Sequence, residues 1–155
     1  MDALQFCPEC GAHWKDGITC QENFHQMLAW ESNHPQVNYS VHHLTVLSYY
    51  LQHPRLYSPQ GLAGAEQLLV DFLENGLSPQ EVRRRQKNKV ASDRRAWKIG
   101  GTEGARGSYP HPVHWNMTAA DVIAGGEAHY TGNVHAWTQS ILDALRASGN
   151  LPKAG

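Results

Sequence analysis

Residues 39–54 read YSVHHLTVLSYYLQHP, and this stretch decides the fold class. It contains no glycine, and its only proline is the last residue, where a helix is expected to stop. At about 100° per residue, four apolar side chains fall on one face of a helix. These are Val41, Leu44, Leu47 and Leu51. The periodicity predicts an amphipathic helix over residues 39–53.

A second stripe on the same helix carries histidine and tyrosine. It consists of His42, Val46, Tyr49 and His53. Two stripes on one helix indicate that both faces are covered by other parts of the chain. At a rise of 1.5 Å per residue, His42 and His53 are roughly 16 Å apart and cannot share one ion.

Capping signals predict further helices on both sides of this stretch. Thr19 is placed to cap a helix from Cys20 to about Glu31, after which His34-Pro35 is expected to break the pattern. Ser58-Pro59 and Ser78-Pro79-Gln80-Glu81 each open another helix, the first ending at Gly76 and the second near Val90. Thr118 opens a short helix, and the last helix runs from near Asn133 to Ala147.

No segment alternates at the period of two that strands require, so the expected fold is all-α, with about five to six helices. We expect residues 1–155 to form one domain. It begins with an irregular metal-binding segment, 1–20, followed by a helical core, 20–90. A glycine-rich loop over 98–113 then leads to the C-terminal helices, 118–149.

Composition narrows the class of protein. Apolar residues make up 41% of the 155 and charged residues 17%, which is ordinary for a globular domain and argues against disorder. No stretch approaches the roughly 20 apolar residues that span a bilayer, and the N-terminus lacks the features of a secretory signal. We therefore expect a cytoplasmic protein without a membrane partner. The net charge of −1 provides no global attraction for nucleic acid.

All three cysteines lie within the first twenty residues, at Cys7, Cys10 and Cys20. A disulfide framework would need pairs spread along a secreted chain, whereas clustered thiols in a reducing compartment favour a metal. Cys7 and Cys10 have the C-x2-C spacing that binds zinc from one tight turn. The sequence therefore predicts a zinc site.

The fourth zinc ligand has to come from outside the cysteines. His42 is the favoured candidate, and His53 is second. His13 would extend the turn as C-x2-C-x2-H, and His25 follows Cys20 on a different helical face. Water in the fourth position would instead make the zinc catalytic.

The chain resembles an uncharacterised bacterial family of domain-of-unknown-function proteins. The resemblance is carried by CPECG at residues 7–11 with Cys20, and by the pattern HxLxVxxYxxQHP that begins at His42. The segment Val134-His-Ala-Trp137 is also similar. It implies a small helical, metal-binding domain in which His42 is the patterned histidine, and it implies no established activity.

Basic residues concentrate in segment 83–98, which holds eight of the thirteen, and Trp97 could stack on a base. The first three are Arg83, Arg84 and Arg85, the candidate contacts for an anion or nucleic acid. A solvated helix is the favoured interpretation of this segment. A second histidine group could form another metal or general-base site, although four unconnected histidines are favoured. It consists of His111, His114, His129 and His135.

The leading functional hypothesis is a helical protein with a structural zinc ion and a pocket for an unknown small molecule. The expected lining of that pocket is His53, Tyr49, Trp115, His135 and Trp137. Two rival hypotheses are a nucleic-acid-binding or regulatory module that uses segment 83–98, and a zinc-dependent enzyme with an open metal site. The sequence assigns neither catalytic residues nor a reaction.

Overall fold

A computed structural model describes the backbone of residues 5–92 and 106–153 and the side chains of 5–85 and 106–153. Within these ranges the chain is all-α, as predicted, and contains no β-strand. The described residues form six helices: α1 (Cys20–Asn33), α2 (Pro35–Leu51), α3 (Pro59–Glu74), α4 (Pro79–Ser92), α5 (Ala119–Ala124) and α6 (Tyr130–Ala147).

The caps act largely as the sequence predicts. The Thr19 hydroxyl accepts a hydrogen bond from the backbone N–H of Glu22, whose carboxylate accepts one from the N–H of Thr19, so α1 begins with a capping box. Ser58 caps α3 through the N–H of Gly61. The expected break at His34-Pro35 is confirmed, because α1 ends at Asn33. The next helix begins at Pro35 and not at the predicted Tyr39, because proline at the first position of a helix gives up no intrahelical hydrogen bond.

The chain divides into two compact units. Unit 1 comprises residues 1–53 and 111–155, and unit 2 comprises 54–110. That all 155 residues form one domain stays a prediction. Part of the expected 98–113 loop lies outside the described residues, and its described part, 106–113, contains no helix.

In unit 1, α2 packs against α1 and α6, and α5 packs against α1 and α6. The predicted apolar face of α2 is buried: Val41, Leu44, Leu47 and Leu51. Trp137 of α6 is fully buried, and its indole N–H donates to the side-chain oxygen of Gln52 at 3.1 Å. The amide nitrogen of Gln52 donates in turn to the carbonyl of Met117 at 2.7 Å. The end of α2 is thereby fixed to α6 and to the segment before α5.

In unit 2, α3 and α4 follow a single 3-10 turn at Pro54–Leu56. Gly107 donates its backbone N–H to the carbonyl of Tyr57 at 2.8 Å, and a Cβ at Gly107 would lie 2.5 Å from the carbonyl of Pro54. Only glycine allows that approach. No described helix is long and apolar enough to cross a membrane.

Candidate metal centre

The N-terminal segment folds into a tight turn around Cys7 and Cys10. Gly11 donates its N–H to the carbonyl of Cys7 at 2.9 Å, and Cys7 donates to the carbonyl of Ala12 at 2.8 Å. Gly11 has φ of +76°, a left-handed conformation that side chains disfavour. The N–H groups of Glu9 and Cys10 lie 3.4 and 3.5 Å from the Cys7 sulfur. Since N–H donors stabilise negative charge, this turn is suited to hold Cys7 as a thiolate.

Cys20 reaches the same place from the first position of α1. Its sulfur lies 3.5 Å from that of Cys10 and 3.4 Å from the indole nitrogen of Trp14, which donates to it. The N-terminus of a helix favours a negatively charged sulfur, because its free N–H groups and dipole are positive. All three cysteines are buried and free of disulfides.

His53 completes the group from just beyond the end of α2. Its Nδ1 donates to the backbone carbonyl of Tyr49 at 2.6 Å, and its Nε2 lies 3.6 Å from the Cys7 sulfur. A proton held on Nδ1 leaves the lone pair on Nε2, the arrangement of metal-binding histidines. The ligand atoms of Cys7, Cys10, Cys20 and His53 all lie within 4.8 Å of one another, and all four residues are buried. This group can hold a metal ion.

The pKa values of Cys7, Cys10 and His53 are shifted by their neighbours in this group. Hydrogen bonds from Cys10 and Cys20 lower the pKa of Cys7, and the hydrogen bonds with Cys20 and Cys7 raise the pKa of Cys10. Burial opposes a charge on His53, but hydrogen bonds to Cys20 and Cys7 raise its pKa to about 10. Without a metal ion, protons shared among these sulfur and nitrogen atoms stabilise the group. A bound cation takes the place of these protons, so metal binding releases them.

The structure brings His53, and not the favoured His42, to the thiols. The side chain of His42 faces another partner, since its Nδ1 lies 2.7 Å from Oε1 of the buried Glu31. The two histidines of this one stripe thus face different neighbours. The other two alternatives are exposed: His13 lies against Phe6, with ring centroids 6.4 Å apart, and His25 lies on the outside of α1.

The residues expected to line a pocket have separate surroundings. Tyr49 stacks on Phe24 with ring centroids 4.2 Å apart and also contacts His53, beside the thiols. Trp137 lies in the core, whereas His135 is exposed and Trp115 is half-buried. A cavity of about 470 Å³ lies elsewhere in unit 1. Its lining is Trp30, His34, Val37, Glu127, Ala128, Tyr130 and Thr131.

The second histidine group forms no metal cluster in the part of the chain that the structure describes. The backbone of His111 exchanges hydrogen bonds with the side chain of Asn150, which fixes the loop to the end of α6. His114, His129 and His135 are exposed.

The described part of the basic segment is a solvent-facing stretch of α4. Arg83, Arg84 and Arg85 are exposed, and the carboxylate of Glu81 forms ion pairs with Arg84 and, at 3.7 Å, with Arg85. The side chains of 86–98 lie outside the described residues. Binding of nucleic acid or another anion to 83–98 stays a prediction.

Sequence reasoning missed Glu31 and Gln52, both completely buried polar side chains. Glu31 follows Met27 by four residues on the inward stripe of α1, so an acid at a core position was the available signal. Gln52, the residue before His53, gave no such local signal, because the role of Gln52 depends on α6, which is distant in sequence.

The comparisons with known proteins place the chain in a family. A search of curated proteins and a search of solved structures each found no match. The model of a family of unknown function, DUF5946, matches residues 5–146, which include all four members of the metal-binding group and five complete helices together with nearly all of the sixth. The chain belongs to this family.

Proposed function

We propose that this protein is a zinc-binding helical protein in which the ion is structural, fixing the N-terminal segment to the end of α2. The observation that supports the proposal is the convergence of four buried ligand atoms within 4.8 Å. Three thiolates and one imidazole are a typical donor set of structural zinc sites. Thiolates also disfavour magnesium and calcium, which prefer oxygen.

The distances within the group agree with a tetrahedral ion. Zinc–sulfur bonds of about 2.3 Å place two sulfurs of a tetrahedron about 3.8 Å apart. The sulfurs of Cys10 and Cys20 are 3.5 Å apart, and the Cys7 sulfur is 3.6 Å from Nε2 of His53. Only small movements are needed to admit zinc.

A structural role fits better than a catalytic one. Catalytic zinc keeps a position open for water or substrate, whereas four buried protein ligands fill the tetrahedron. The segment 5–18 buries only Cys7, Cys10 and Ala12, so it has little core of its own. Zinc binding supplies on the order of 10 kcal/mol in small metal-dependent folds, which is enough to order such a segment.

The test is elemental analysis of protein purified in reducing buffer, with two histidine variants. We expect one zinc ion per wild-type chain. His53→Asn should weaken zinc binding at least about a hundredfold, since even changes behind a ligand cost ten- to a hundredfold. His42→Asn is the matched control, because His42 faces Glu31 and not the thiols, and it should keep the ion. Absence of zinc from the wild type, or equal zinc affinity in His53→Asn, would contradict the proposal.

A further inference from the structure

The cavity of about 470 Å³ in unit 1 takes no part in the metal centre. Its walls include Trp30 near the end of α1 and Val37 in the first turn of α2, whereas Cys20 and His53 lie at the other ends of these helices. At a rise of 1.5 Å per residue, Cys20 and Trp30 are roughly 15 Å apart along α1. The volume is within the range of small-molecule sites, about 300–1,000 Å³. The cavity is therefore a candidate binding site that does not depend on the metal.

Two aromatic rings form adjoining walls of this cavity. The rings of Trp30 and Tyr130 have centroids 5.7 Å apart, and their planes stand nearly perpendicular, at 81°. Trp30 is half-buried and Tyr130 is 3% exposed, so the indole is the more accessible of the two. The face of an aromatic ring carries a negative electrostatic potential that attracts a cation within about 6 Å.

A buried carboxylate behind Tyr130 strengthens this attraction. The side chain of Glu31 has 0% exposure, and the hydroxyl of Tyr130 donates to it. His42 Nδ1 at 2.7 Å and Asn38 Nδ2 at 3.3 Å are its other contacts. Burial and the hydrogen bond to Glu31 raise the pKa of Tyr130, so the phenol keeps its proton at neutral pH. Because a phenol that donates to a carboxylate is polarised, its ring gains electron density.

A second carboxylate lies on the solvent side of the cavity. The side chain of Glu127 is 44% exposed, and its Oε2 lies 2.9 Å from Nε2 of His34. Its other oxygen has no hydrogen-bond or ion-pair partner among the described residues. Within the described lining His34 is the only basic side chain, and it is charged only when protonated. The cavity thus attracts a cation and repels an anion.

The hydrogen-bonding groups of the walls distinguish between kinds of cation. A primary ammonium group has three N–H donors that need acceptors. The indole of Trp30 is only a donor, Val37 is apolar, and the phenol oxygen of Tyr130 is already bonded to Glu31 and, at 3.0 Å, to the hydroxyl of Thr45. A quaternary ammonium group has no N–H donor to satisfy and is attracted by ring faces alone.

We propose that this cavity binds a small quaternary ammonium compound. The cationic group lies between the aromatic walls of Trp30 and Tyr130 and the carboxylate of Glu127. The aromatic faces replace its weak hydration, and the carboxylate balances its charge. No chemical step is assigned to the site.

The test is a titration of the full-length, zinc-loaded protein with choline. Calorimetry gives the dissociation constant, and NMR follows the indole N–H signal of Trp30, which is identified by its absence in Trp30→Leu. We expect saturable binding that shifts this signal. The neutral isostere of choline, in which a tert-butyl group replaces the trimethylammonium group, should bind about two- to thirtyfold more weakly, since it lacks the cation–π attraction. Ethanolamine, a primary amine, should also bind more weakly than choline.

Variants of the walls locate the site. Trp30→Leu should raise the dissociation constant for choline about two- to thirtyfold, and Trp30→Phe, which keeps a ring, should raise it less. Glu127→Gln should raise it severalfold. Asp143→Asn is the matched charge control, because Asp143 is exposed on α6 and is absent from the cavity lining, and it should leave the dissociation constant unchanged.

Circular dichroism verifies that each variant is folded. Zinc content is measured on the same samples, so a protein that binds choline without zinc would contradict the metal proposal alone. Absence of saturable choline binding, or equal affinity for choline and its neutral isostere, would overturn the present proposal. An unchanged affinity in Trp30→Leu, or equal effects of Glu127→Gln and Asp143→Asn, would overturn it as well.

Discussion

The Nδ1 atom of His53 donates to the backbone carbonyl of Tyr49, 2.6 Å away and one helical turn earlier. This bond sets the direction of the ring, because the acceptor belongs to the helix and cannot rotate. The side chain of Tyr49 is fixed as well, since it stacks on Phe24 of α1 with centroids 4.2 Å apart. The imidazole is thus held ready for the metal by the backbone that ends α2.

We expect the pH dependence of stability to differ between the zinc-loaded and chelated protein. In the chelated protein, His53 has its pKa raised from 6.5 to about 10, and that of Cys10 is raised above 9.0. Each raised pKa stabilises the folded state below the pKa of the unfolded chain, so the contribution of His53 is lost between pH 6.5 and about 10, and that of Cys10 is lost above pH 9.0. The lowered pKa of Cys7 has the opposite sign, so its stabilisation grows up to pH 9.0 and offsets the loss from His53 below that pH, but not above it.

The melting temperature of the chelated protein should therefore fall above pH 9. The zinc-loaded protein has no ligand protons to lose and should instead be destabilised by acid, which competes with the metal. Thermal unfolding followed by circular dichroism on both sides of pH 9, with and without chelator, measures this. Parallel curves for the two forms would contradict the assigned ligands.

Gly11→Ala should destabilise the metal-binding turn. Its φ of +76° costs a residue with a Cβ about 1–2 kcal/mol, although no atom obstructs the Cβ. Gly132→Ala is the control, because Gly132 lies in α6 with open space around it and alanine favours a helix by about 1 kcal/mol. Chemical unfolding should show opposite signs for the two variants. A neutral Gly11→Ala would indicate that the turn tolerates another conformation.

Gln52→Leu should cost about 1–3 kcal/mol. It leaves the indole N–H of Trp137 and the carbonyl of Met117 without their partner in a buried place. Gln139→Leu removes a glutamine from an exposed position of α6 and should change stability by less than about 0.5 kcal/mol. Urea unfolding of both variants provides the comparison. Similar losses in both would show that the buried amide contributes nothing specific.

Tyr130→Phe should cost about 1.5–3 kcal/mol, because the lost hydroxyl donates to the buried carboxylate of Glu31. Tyr39→Phe is the control. Because Tyr39 is 62% exposed, this substitution should leave the free energy of unfolding nearly unchanged. Calorimetry of the two variants tests the difference. Equal melting temperatures would mean that Glu31 finds another donor.

The helices were predictable because their signals are local. Thr19 and Ser58 cap the helices that follow them, and the spacing of apolar residues gives α2 its buried face. The fourth member of the metal-binding group was not predictable in this way, because both His42 and His53 lie on the same stripe. Which one meets the thiols depends on how α1 and α2 pack, a long-range property that spacing along one helix does not contain.

Gln52 and His53 are neighbours in the chain, yet they face different partners: one holds the indole of Trp137 and the other the thiol cluster. The two residues that follow α2 therefore connect the N-terminal and C-terminal parts of unit 1. We therefore expect a displacement of the cysteines to alter the packing of the core tryptophan through these two adjacent residues. The environment of the Trp137 indole should consequently change when the N-terminal cysteine segment is perturbed.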